Sequence, residues 1–288
     1  MTEQHPLKAI GYFSVAILLI ALVDGICKIY TTDLHAVQLV WGYFVGITLT
    51  LAIYFAIRGE RLGDLMKTER RRLQLARPAF LVGSITSLFI GLTYLPIAET
   101  TAIGFTAPLF ITALSVPILR EKVGLHRWTA VVIGLVGVLI IVRPGGGLWH
   151  WASVMPLIGA MFFACFQLVT RVLASSERTH VTLFHTGLGG LLWTSLMVPF
   201  FWTPPTAVHW AVFIGTGVMG TMAHLCMISA FNRAEASLLA PHNYTKIIWV
   251  AVLGYVLFDD VPSLNMWIGT AVIVSAGVYV LYRERRRA

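Results

Sequence analysis

Several ionisable residues stand inside apolar sequence, and their spacing is helical. Asp24 and Lys28 are four apart, which places them on one helix face with the acid on the N-terminal side, the favourable order for an ion pair. Such a pair either neutralises itself near the end of a span, with Lys28 reaching toward water, or contributes to a functional cavity. Further on, Glu235, Leu239, His242 and Lys246 follow at spacings of 4, 3 and 4 and form one stripe. Lining a cavity, that stripe could hold a zwitterion, with Lys246 meeting a carboxylate and His242 donating or relaying a proton. The bland alternatives are a polar turn for Glu235 beside Arg233, and a partner elsewhere in the protein for Lys246.

A second set is weaker in chemistry. Glu99, Thr106 and Phe110 share a face, and Pro108 removes a backbone donor and frees a carbonyl within the same apolar run; Pro241 does the same near the start of the ninth run. Gln167 and His224 are polar groups that must face protein or water, while His185 suits an interhelical hydrogen bond. Trp41, Tyr94, Phe105, Phe163 and Trp249 are candidates for stacking on a planar cargo, against the commoner role of packing. Trp149, Trp151 and Trp202 read as an interfacial belt.

The elements that must position these residues follow from composition. Of 288 residues 57% are hydrophobic and 12% charged, with a net charge of +8 and a mean hydropathy of +0.79. A soluble domain carries about 25% charged residues, so a water-soluble enzyme or nucleic-acid-binding module is disfavoured. Runs of about 20 apolar residues recur along the whole chain and predict ten membrane-spanning helices, near 9–30, 35–57, 78–95, 97–119, 128–142, 149–172, 182–201, 208–231, 236–258 and 263–282. Barrel strands would alternate at every second residue, and these runs do not. The first run is too long for a signal peptide and lacks a small-residue cleavage site. Cys27, Cys165 and Cys226 lie in apolar stretches without the spacing of a disulfide framework or a zinc site.

The cations then become a topology map. With both termini inside, Lys8, the basic connection from Arg58 to Arg77, Arg120, Lys122, Arg127, Arg171, Arg178, Arg233 and the Arg283–Arg287 cluster all fall on the cytoplasmic side. Only Lys28 and Arg143 fall near the outer face, and Lys246 is left within a span.

The chain also repeats. Ala98-Glu99 through Glu121 to Trp128 parallels Ala234-Glu235 through Asp260 to Trp267, which divides it into 1–143 and 144–288, five predicted spans each. Because five is odd, the second copy enters from the opposite side; the cations around Glu121 and their absence beside Asp259 and Asp260 agree. The fold class is therefore an all-α membrane protein of ten transmembrane helices in two inverted five-helix repeats, an organisation characteristic of secondary transporters. Gly42 and Gly46, with Gly187, Gly189, Gly190, Gly215, Gly217 and Gly220, offer smooth faces for close helix contact.

Leu238-Leu239-Ala240-Pro241 through Tyr244, the run Leu253 to Pro262, the Gly269 helix, and in the first half Pro108 with Pro117 to Glu121 resemble the EamA family of the drug/metabolite transporter superfamily. The resemblance covers essentially the whole chain. It implies an exporter of amino acids or related small metabolites, with a subgroup that exports aromatic amino acids. Lys28 matches a basic position common at the end of this helix in the family, and Tyr244 its common tyrosine. Related small multidrug exporters place a proton-coupling glutamate where this chain has Ile20.

The expected partners are a small-molecule substrate and the lipid bilayer of the inner (plasma) membrane, with no nucleic acid, and two fused halves can form a transport unit as a monomer. No cofactor or metal is expected: the Gly145-Gly146-Gly147 run lacks the Lys-Ser or Lys-Thr of a phosphate loop, and no His-Glu-x-x-His or nucleophile dyad supports an intramembrane enzyme. Cationic drugs and nucleotide-sugar-like metabolites are the alternative cargoes.

Overall fold

The computed structural model describes residues 6–119, 125–143, 150–174, 176–231, 233–234 and 239–285. Glu121, the Gly145–Gly147 run, Trp149 and Glu235 fall outside these described residues. Those described form helices and connecting turns, with no strand among them. In chain order they are α1 (Pro6–Ile29), α2 (Ala36–Ile57), a short α3 (Leu62–Met66), α4 (Arg71–Tyr94), α5 (Ile97–Gly104), α6 (Ala107–Leu119), α7 (Leu125–Val142), α8 (Val154–Ala174), α9 (Thr179–Met197), α10 (Ala207–Phe231), α11 (Lys246–Phe258) and α12 (Leu264–Arg285). Among the described residues seven segments are long and apolar enough to cross a bilayer; Trp128–Val142 and Leu264–Tyr279 are shorter apolar stretches.

Three differences from the predicted spans matter. The third helix starts at Arg71, seven residues early, because Leu73, Leu75 and Ala76 continue the helical pattern through the basic connection; Arg77 is thereby carried into the bundle. The fourth run is broken into α5 and α6 at Phe105–Thr106. Pro108 cannot donate to the carbonyl four residues earlier, so the helix restarts instead of continuing. The ninth run opens as a 3-10 turn over Ala240–Thr245, with Pro241 at its start, before α11 begins at Lys246. Each half therefore contains one interrupted helix.

The neighbours follow a pattern. α1 packs on α10 and α4 on α8; α2 on α10 and α4 on α9; α6 on α8 and α1 on α11; α2 on α9, α5 on α11 and α7 on α12 complete the bundle. Glycine permits the closest approaches. A Cβ on Gly42 would overlap the Phe213 ring, and one on Gly217 would overlap the Gly46 backbone, so the predicted Gly42/Gly46 face docks on α10. The outward surface is apolar: Leu188, Leu192 and Leu196 form an exposed stripe on α9, and Ile53 and Ile57 continue another on α2. Buried threonines answer their own polarity by donating to carbonyls in their own helix, as Thr194 does to Gly190 at 2.7 Å and Thr100 to Pro96 at 2.8 Å.

At the basic end of the bundle, polar side chains tie the connection after α2 to the one before α9. Thr68 donates to Glu177 at 2.5 Å, and His180 Nδ1 lies 3.0 Å from Glu60. Lys67 donates to Asp64 at 2.9 Å and holds its carboxyl below the usual carboxylate range.

Candidate functional site

Asp24 is buried in α1, and its partner is Lys246, the first residue of α11, with Nζ 2.6 Å from Oδ2. The expected Asp24/Lys28 pair does not form. Helical spacing puts the two on one face, but each finds an opposite charge elsewhere, Asp24 at the start of α11 and Lys28 in the turn that follows α11, where a close contact is stronger than a pairing along one face.

Lys28 sits at the end of α1, where a cation also suits the helix dipole. Its Nζ donates to the Leu95 carbonyl at 2.7 Å, lies 3.6 Å from Asp260, and stands 5.0 Å from the Phe258 ring centroid. Asp260 is delivered by the way α11 ends. Asp259 takes the left-handed conformation (φ 54°), its N–H donates to Tyr255, and the Asp260 N–H reaches back to the Gly254 carbonyl at 3.0 Å. Glu99, two residues into α5, joins the same end: its Oε1 accepts from the Ser263 N–H at 3.5 Å, and its buried Oε2 has no hydrogen-bond partner. Lys28, Glu99 and Asp260 thus form an acidic-end cluster distinct from the Asp24–Lys246 pair.

The interrupted helices frame that pair. Phe105, in the α5/α6 break, meets the Tyr244 ring edge-on at 5.3 Å and 84°. Tyr244 lies two residues before Lys246, and its hydroxyl abuts the Gly277 backbone of α12. Over its described part, Leu239–Lys246, the predicted stripe does not survive as one helical face, because the 3-10 turn changes its rotation. Leu239 is fully buried against Ala9, Phe13 and Ile17 of α1, His242 is half-buried in the turn, and Lys246 faces Asp24. Pro108, in the first turn of α6, is half-buried, and its carbonyl accepts from Thr112 at 3.0 Å.

A further buried charge, expected in the basic connection on the cytoplasmic side, lies instead among the helices. Arg77 of α4 is 8% exposed; its Nε donates to Thr170 of α8 at 2.7 Å, one terminal nitrogen donates to Thr186 of α9, and the Phe166 ring lies 4.4 Å away. The available signal was the apolar sequence on both sides of it, which let α4 begin before the charge. On α8, Pro156, Ala160, Phe163 and Gln167 follow at spacings of 4, 3 and 4; the first two are buried, Phe163 is half-buried and Gln167 exposed.

Of the remaining candidates His224 lies near Arg77, and the others lie apart from these charges. Trp41 donates to Ser195 at 3.1 Å and meets Trp202, Trp210 and Phe213 edge-on. Tyr94 is exposed and touches His150 and Trp151. His224 is half-buried in α10. His185 does not bridge helices: its Nδ1 pairs with the Val181 carbonyl of its own helix at 2.9 Å, the nearer partner one turn away.

Residues 7–143 and 150–283 each match the model of the EamA-like transporter family. The chain belongs to that family. As an EamA-like protein it is a multi-pass membrane protein of the transporter class. It is 24% identical over 277 residues to an S-adenosylmethionine uptake transporter of Rickettsia bellii, covering 96% of this chain and 94% of that one. It is 28% identical over 295 residues to a riboflavin transporter of Vibrio cholerae, covering 99% and 97%. A pseudopaline exporter of Pseudomonas aeruginosa is 22% identical over 258 residues, covering 89% of each chain. One solved crystal structure shares the fold of this EamA-like chain, with a TM-score of 0.64 at 19% identity over 98% of this chain and 99% of that one. These relatives are named for metabolites other than free amino acids.

Proposed function

We propose that the chain is a secondary transporter in the plasma membrane that moves a small zwitterionic metabolite by alternating access between its halves, 1–143 and 144–288. The Asp24–Lys246 pair carries this reading. It places opposite charges, one from each half, in contact inside an apolar bundle, where an ionisable residue is costly unless it has a function or a partner.

The ten-crossing, inverted arrangement is supported by the neighbour pattern. If each helix of the first half is exchanged with its counterpart in the second, α1–α10 becomes α8–α4, α2–α10 becomes α9–α4, and α1–α11 becomes α8–α6, all of them observed contacts. The pairs α2–α9 and α7–α12 map onto themselves. Two-fold related halves require such a pattern. The interruptions at Phe105–Thr106 and Ala240–Thr245 occupy corresponding positions, and discontinuous helices near a repeat interface are where transporters bind cargo. Cytoplasmic termini follow from the distribution of Lys and Arg.

For cargo, a cationic drug calls for an acid free of neighbouring cations; Asp24 is held by Lys246, and Glu99, whose Oε2 has no hydrogen-bond partner, shares the acidic-end cluster with Lys28. A nucleotide sugar calls for several adjacent cations, whereas Lys28, Arg77 and Lys246 each make separate contacts. A zwitterionic head fits both facts. The S-adenosylmethionine and riboflavin named for the relatives add a planar ring to a polar arm, and the Phe105–Tyr244 pair beside Lys246 offers aromatic edges for such a ring. Free amino acids are then the simplest members of the class rather than its defining cargo.

The test is counterflow in proteoliposomes with labelled S-adenosylmethionine, L-phenylalanine, L-methionine and riboflavin. Exchange of solutes bearing an amino-acid head is expected. Exchange of riboflavin alone, or of a lipophilic cation or nucleotide sugar in place of the zwitterions, would remove the cargo reading, and silence with every solute would remove transport.

A further inference from the structure

We infer that Arg77 is the carboxylate-binding subsite of the transport pathway, and that it takes a carboxylate flanked by a hydrogen-bond donor, as in the head of an α-amino acid. This rests on the proposed transport reading only for the identity of the cargo.

The guanidinium is buried, yet every partner it has is neutral. Nε donates to Thr170 at 2.7 Å; one terminal nitrogen donates to Thr186 and, at 3.5 Å, to the Thr182 carbonyl; the Phe166 ring covers a face at 4.4 Å. Among the described residues no carboxylate lies within ion-pair distance of it. Asp24, Lys28, Asp260 and Lys246 settle their charges with one another, so Arg77 stands out as a positive charge that the fold leaves uncompensated. A buried cation of this kind is costly unless something brings its counter-charge.

The threonines are arranged to hold the guanidinium without neutralising it. Thr170 donates its own proton to the Phe166 carbonyl and Thr186 to the Thr182 carbonyl, each at 2.6 Å, so both hydroxyl oxygens turn lone pairs toward Arg77. The plane is thereby fixed. The second terminal nitrogen, Nη2, makes no hydrogen bond to the protein and is not fully buried, so its two N–H groups keep some exposure. Gln167, one turn before Thr170 on α8, is exposed.

An independent observation defines the neighbouring group. Gln74, three residues before Arg77 on the same face of α4, is 1% exposed; its Nε2 donates to Thr182 Oγ1 at 3.4 Å, and its Oε1 is buried with no partner. An unmet acceptor beside an unmet cation fits a ligand that presents an N–H or O–H next to its carboxylate. One cation matches one carboxylate; a phosphate dianion would leave charge over.

The test is arginine footprinting of the purified full-length protein. 2,3-Butanedione should add first to Nη2 of Arg77 and then close onto the other terminal nitrogen, giving a cyclic diol that borate traps, as read by peptide mass spectrometry. L-Methionine, L-phenylalanine or L-lactate should slow that modification several-fold relative to sodium chloride at equal ionic strength, while L-methioninamide should not and exposed Arg58 should be unaffected. An unreactive Arg77, equal protection by the amide, protection by inorganic phosphate in place of the carboxylates, or no protection by any of the three would each overturn the assignment. Protection without counterflow would remove the transport reading and leave the subsite; counterflow without protection would do the reverse.

Discussion

Lys246 Nζ lies 2.6 Å from Asp24 Oδ2, so the first residue of α11 is tied to α1, more than two hundred residues away in sequence. Asp24→Asn or Lys246→Met alone leaves the other charge buried and alone, which should cost about 3–5 kcal/mol of stability. The double substitution should recover most of that loss, because no uncompensated charge remains. Thermal melts in detergent check the stability, and counterflow should be lost in all three variants. A double variant no more stable than the singles would show that the two charges do not act as a pair.

At the acidic end, Lys28–Asp260 and Glu99–Ser263 join α1 and α5 to the turn between α11 and α12. Asp260 is partly exposed, so Asp260→Asn should change stability by only about 0–1 kcal/mol. Its expected effect is on access: Ser263→Cys, in a background without native cysteines, should react faster with a membrane-impermeant maleimide when Asp260 is Asn. Equal labelling rates would mean that the contact does not close this end.

The α2/α10 seam has no room for a methyl group. Gly46→Ala or Gly217→Ala must push the two helices apart and should destabilise by about 1–3 kcal/mol. Gly11→Ala and Gly215→Ala, with nothing within 4 Å, should be neutral or stabilising by up to about 1 kcal/mol through helix propensity. Melting temperatures of the four variants separate the two classes.

His35 caps α2 by accepting the Val37 N–H on Nδ1 at 3.2 Å, and burial lowers its pKa below the ordinary 6.5. A depressed folded value means that the contribution is complete above the unfolded value and lost as pH falls through the folded one. A protonated ring can no longer accept, and it places a cation at a helix N-terminus. The melting temperature should therefore fall between pH 7.5 and pH 5, and His35→Asn, which caps without titrating, should flatten that fall. A pH profile unchanged by the substitution would assign the loss to other groups.

Much of the architecture was readable because its causes are local. Apolar runs specified where helices lie, since each must satisfy its own backbone, and Pro108 and Pro241 marked both interruptions because proline acts on its own turn. Gly42 and Gly46 announced a close helix contact without naming α10 as the partner. The site was readable only as an inventory. Asp24, Lys28, Glu99, Tyr244 and Lys246 were all identifiable as polar or aromatic groups in apolar runs, but the assumed pairing of Asp24 with Lys28 failed, and Arg77 was assigned to a loop because charge density ended the predicted connection too late.

By itself the sequence determined an all-helical membrane chain built from two similar halves, a basic end and an acidic end, and a short set of charges that lipid would not tolerate. The tertiary structure decided which charge meets which: Asp24 with Lys246, Lys28 with Asp260, and Arg77 with threonines alone. Spacing along a helix fixes only the face a side chain occupies. Inside a low-dielectric bundle the partner is set by contacts between helices distant in sequence, where a few ångströms decide whether a charge is paired or left for a ligand.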